Sequence, residues 1–143
     1  MKKIILSTLT CLLVFPSISF ANIPRIKITD LKNNMSVLQK TLENYATGSG
    51  GVFPEDVNNL IAEAKNGSYW KKIKNPFNNR EGVGKNGSLL NYKEYNPKGK
   101  MGGLVLYEGT DCNGGICSGY KIYGTDIDGR LIEFQGQPFT FSN

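Results

Sequence analysis

The sequence predicts an α+β fold in which a long N-terminal amphipathic helix packs on a small three-stranded antiparallel sheet. Three observations predict it. Helical apolar spacing follows an apolar leader, turn-forming residues fill the middle, and short β-type runs joined by Gly-rich turns fill the last third.

The leader comes first. Met1-Lys2-Lys3 is basic, Ile4 to Phe15 is almost wholly apolar, Pro16 interrupts, and Ser19-Phe20-Ala21 places small residues at −3 and −1 of a cleavage point. These are the parts of a secretory signal, so residues 1–21 are expected to be removed and residues 22–143 to form one domain. The apolar run is shorter than the roughly 20 residues that span a bilayer, and no later stretch is long or apolar enough. A soluble protein in the periplasm or the medium is therefore expected.

From Thr29 to about Thr47 the apolar residues Leu31, Met35, Leu38, Leu42 and Tyr45 recur at helical spacing and share one face. Thr29 or Asp30 is the expected N-cap, and Gly48-Ser49-Gly50-Gly51 the stop. Val52-Phe53-Pro54-Glu55-Asp56 opens a second helix. Pro54 suits its first turn, and Val57, Leu60, Ile61 and Ala64 form its apolar side. Asn66-Gly67 ends it.

Ser68 to Lys100 reads as loop, dense in Asn, Gly and Pro. Its aromatics Tyr69, Trp70, Phe77, Tyr92 and Tyr95 are expected to pin it to the core. A stacking platform for a sugar or a base is the functional alternative. Leu104–Tyr107, Tyr120–Tyr123 and Arg130–Phe134 are the three expected strands, with Asp128-Gly129 turning between the last two. Phe139 and Phe141 would pack at the sheet edge as a tail.

Composition narrows the chemistry. The chain has no His, which removes the commonest general base and the usual triads. No phosphate-loop motif occurs, and nothing pairs a nucleophile with a base, so no enzyme activity is expected. Loss of Lys2 and Lys3 lowers the formal charge from +5 to +3. The lysines are scattered apart from Lys71, Lys72 and Lys74, which read as a solvated face, and no nucleic-acid partner is expected. Cys11 leaves with the leader. Cys112 and Cys117 remain, an even count that in an exported protein argues for one disulfide across Asn113-Gly114-Gly115-Ile116. Its wider spacing than Cys-x-x-Cys favours a structural staple over a redox pair.

Four segments carry a resemblance: Leu38-Gln39-Lys40-Thr41-Leu42-Glu43-Asn44-Tyr45-Ala46, Gly50-Gly51-Val52-Phe53-Pro54, Lys74-Asn75-Pro76-Phe77, and Gly119 through Gly129. In their order and spacing they resemble the globular domain of type IV pilins, most closely the major pseudopilin of type II secretion systems. The resemblance spans most of residues 30–143. It implies a pilin-like fold and protein partners among pilus or type II secretion components. The chain departs from the family at its start. No Gly-Phe cleavage pair precedes the apolar run, no Glu lies within it, and Pro16 ends it. The sequence thus resembles a pilin head whose filament-forming helix is replaced by a disposable leader, and it is not expected to polymerise. An independent extracellular binding module, contacting a surface or glycan through the aromatic loop, is the alternative function.

Asp126 and Asp128, two apart in a turn, could share a hard cation with backbone carbonyls. The family resemblance implies calcium, since major pseudopilins bind it in a C-terminal loop. The EF-hand pattern fails, with Gln137 standing where the closing Glu would be. A simpler role for Asp126 is to bond its own turn. No other cofactor is expected.

Overall fold

The computed structural model describes residues 22–143, so the expected signal segment, residues 1–21, lies outside the described residues. The first element, α1, runs over Asn22–Gly48. It begins a turn or more before the expected cap. Thr29 sits inside it, its hydroxyl donating to the Arg25 carbonyl four residues back (3.2 Å). Leu31, Met35, Leu38 and Leu42 are fully buried. The helix closes where Gly51 N–H reaches the Ala46 carbonyl (2.8 Å) and Gly50 takes a φ of 72°.

A two-residue strand follows, β1 (Phe53–Pro54), then α2 (Val57–Asn66). Pro54 therefore belongs to an edge strand rather than to the first turn of α2. It carries no N–H to leave unpaired there. The α2 cap is Asp56, extended at φ −121° and ψ 133°, whose carboxylate accepts from Asn58 N–H. The next strands are β2 (Leu89–Asn91), β3 (Val105–Asn113) and β4 (Ile116–Gly124). Last come β5 (Glu133–Phe134), β6 (Gln137–Pro138) and β7 (Thr140–Ser142).

The expected three-stranded antiparallel sheet is not what forms. The main sheet has five strands in the order β1-β4-β3-β2, with β7 also on β4, and it is mixed. β2 runs parallel to β3, Leu90 opposite Leu106. The third expected strand, Arg130–Phe134, does not join this sheet. The Asp126–Gly129 turn does reverse the chain, and Ile132 N–H reaches the Gly124 carbonyl (2.9 Å). The chain then departs, and Glu133–Phe134 pairs with β6 in a separate two-stranded sheet. Gln135 (φ 53°) and Gly136 (φ 75°) make that tight reversal. The place beside β4 goes to β7, where Phe141 lies opposite Ile122. Burial explains the exchange. Phe134 is 63% exposed, whereas Phe139 and Phe141 pack against the main core.

Both faces of the sheet are covered. Val105, Tyr107, Tyr120 and Ile122 meet the apolar sides of α1 and α2. Leu90, Leu104, Leu106 and Tyr123 form a second cluster with Tyr92, Tyr95, Met101 and Leu131. The segment between α2 and β3 thus supplies one wall of the molecule.

Candidate functional site

The β3–β4 hairpin is built from its turn. Gly114 (φ 62°) and Gly115 (φ 85°) supply the two left-handed residues that a two-residue turn with right-handed strand twist requires. Cys112 and Cys117 fall directly opposite each other, and they form a disulfide. Cys117 is buried and Cys112 exposed. Gly109 lies beneath the bridge, where a Cβ would come within 2.4 Å of Cys117 Sγ. The hairpin tip also holds β1. Phe53 pairs with Cys117 and Pro54 with Ile116, while Tyr107 OH donates to the Pro54 carbonyl. The bridge thus joins two paired strands at the hairpin tip, and a disulfide fits an oxidising, exported compartment.

Asp126 and Asp128 lie at the opposite end of the hairpin. Asp126 Oδ1 accepts from the backbone N–H of Asp128 (2.9 Å) and of Arg130 (2.9 Å). Asp128 is exposed and turns toward Arg130 (3.9 Å). Asp111 stands near the hairpin tip, about 25 Å away at about 3.3 Å per strand residue, and does not join them. Among the described residues no three His, Cys, Asp or Glu side chains gather in a metal-holding cluster. The carboxylate of Asp126 is engaged in closing its own turn.

The five loop aromatics are distributed over the body. Tyr92 stacks on Tyr123 (4.5 Å between centroids) and lies 6.0 Å from Tyr95, whose hydroxyl donates to the Gly129 carbonyl (2.7 Å). Phe77 lies under Lys27 (5.4 Å) and against Gly103. Tyr69 packs over Gly67 at the end of α2. Trp70 lines a cleft. They do not form one stacking platform.

Two polar constellations carry no sequence signal beyond the richness in Asn. Asn75 is 1% exposed. Its amide donates to the Gly102 carbonyl (2.8 Å) and its oxygen accepts from Phe77 N–H (2.9 Å), joining the loop to the start of β3. Asn91 is 2% exposed and accepts from Val57 N–H (2.9 Å). Its amide donates to Asp56 (3.0 Å) and Glu94 (2.8 Å). Burial alone would raise the Asp56 carboxyl. The Asn58 backbone and side chain, Asn91 and the nearby Lys93 outweigh it and hold the group below its ordinary value. On the sheet, burial and the Glu108 carboxylate it donates to (2.6 Å) both raise the Tyr123 hydroxyl.

A cleft of about 720 Å³ opens between α2 and the segment around Gly82. Its apolar lining is Ile61, Ile73, Val83 and Trp70, and Lys65, Lys72 and Glu81 stand at its walls. Glu81 pairs with Lys72 (3.5 Å) and Lys74 (3.4 Å). The lysine cluster is thus partly committed to one carboxylate. Comparison of the chain with family models, curated proteins and solved structures finds no match.

Proposed function

We propose that the chain is an exported, non-enzymatic protein that acts by protein–protein contact. In this reading it works beside a type IV pilus or type II secretion apparatus, as an accessory or as secreted cargo. The ordered series of four segments resembling pilins carries the reading, together with the leader that stands where a filament helix would be. The direction of the α1 stripe supports it. Leu31, Met35, Leu38 and Leu42 are spent on the protein's own core, which leaves no apolar stripe of that part of α1 for packing against other helices. No described helix is long and apolar enough to cross a membrane. The disulfide supports an oxidising destination.

In-cell crosslinking of the exported protein, followed by identification of the adducts, tests this. Recovery of pilus or type II secretion components is expected. Adducts confined to surface glycan would overturn the reading, as would pilus-like fibres formed by the purified protein.

A further inference from the structure

The cleft beside α2 combines three features that bear on ligand binding. Its floor is apolar and partly open: Ile61 and Ile73 are buried beneath it, while Trp70 and Val83 remain half-exposed. Its rim sets Lys65 and Lys72 against a single carboxylate, Glu81. Glu81 is shared between Lys72 and Lys74, and Lys65 makes no ion pair among the described residues. The last turn of α2 competes for no ligand, because Ala64 O accepts from Tyr69 and Trp70 N–H, and Glu63 O and Lys65 O are also bonded. The volume falls within the roughly 300–1,000 Å³ of ordinary ligand clefts.

We propose that this cleft docks an acidic polypeptide segment, with one large apolar side chain seated against Trp70, Ile73 and Val83 and flanking carboxylates set against Lys65 and Lys72. The proposal rests on the reading of the protein as one that works by protein contact, and it places that contact. Charge decides the class of partner. A basic segment would meet Lys65 and Lys72 with only the doubly paired Glu81 to receive it. The apolar part of the floor favours a peptide among acidic ligands. Ile61, Ile73 and Val83 suit the buried apolar anchor of a peptide contact, whereas Asn58, Asn66 and Trp70 in the same lining make a saccharide the competing occupant that the titration must separate.

Trp70 is the only tryptophan in the chain, so its emission reports on the cleft directly. The disulfide-bonded protein is titrated with a short peptide alternating Glu with Leu and Phe, with the same peptide carrying Lys for Glu, and with an oligogalacturonate. A saturable Trp70 response to the acidic peptide alone is expected. Lys65→Glu and Ala62→Glu, both at exposed α2 positions, should each weaken it roughly tenfold, and raised salt should weaken it too. Circular dichroism confirms that the variants fold. An equal response to the basic peptide, no response, or a response to the oligogalacturonate alone would overturn the proposal. Crosslinking to secretion components that survives Lys65→Glu would leave the functional reading standing and move the contact elsewhere. Loss of those crosslinks in the unmodified protein would remove the functional reading while the peptide titration still judged the cleft.

Discussion

Asp56 concentrates several demands in one carboxylate. It caps α2, bonds Asn58 twice and receives the amide of the buried Asn91. Replacing it with Ala should cost about 1 kcal/mol from the lost cap, more if Asn91 is left short of a partner. Urea unfolding at neutral pH measures it. Because the folded carboxyl lies below its ordinary value, its contribution is present above the ordinary carboxylate range and fades as pH falls through the folded value. The difference between wild type and Asp56→Ala should therefore shrink below about pH 4. A difference that stays constant into acid would remove the carboxylate from the account. Little of this residue's role was legible in advance. Its acidity near a helix start was, but the partner that fixes it, Asn91, is far away in sequence and sits in a stretch that reads as loop.

At the scale of elements, the β3–β4 hairpin was the most legible piece. Two Gly between paired Cys is a local signal, and local geometry decides it. The chain-entropy relation gives about 2 kcal/mol for a loop this small. Cys112→Ser with Cys117→Ser should lower unfolding stability by about that much and loosen β1, which hydrogen exchange at Phe53 would detect. Unchanged stability and exchange would show that the glycine turn suffices. The other strands were less legible for a physical reason. β1, β2 and β7 have two or three residues each, too few for a period to register, and their pairing is set by distant partners. Arg130–Phe134 alternates convincingly, yet alternation does not say which sheet a strand enters. The turn at Gln135-Gly136 and the greater burial available to Phe139 and Phe141 settled that. Of the candidate residues, Cys112 and Cys117 were found by spacing. The cleft was not, since it joins Lys65 on α2 to Val83 through the fold alone.

The molecule as a whole depends on how closely α1 can approach the sheet. Gly124 ends β4 under the helix, where a Cβ would lie 3.0 Å from Met35 Sδ and 3.1 Å from Leu31 Cδ2. Gly124→Val should overpack this contact and cost roughly 1–3 kcal/mol, read as a lower urea midpoint. A midpoint unchanged from wild type would mean that α1 can shift at no cost. The packing of the whole molecule also bears on where a protease can enter it. A protease selective for aromatic residues needs one on chain that can be drawn out into its own site. In the stretch between α2 and β3, which composition marks as the easiest to cut, Tyr69, Trp70, Phe77, Tyr92 and Tyr95 are all half-buried. Phe134, 63% exposed on the separate β5–β6 hairpin, offers itself instead. Limited chymotrypsin treatment should cut first after Phe134 and leave the rest of the domain whole. The packing of these aromatics thus directs the first cut away from the core.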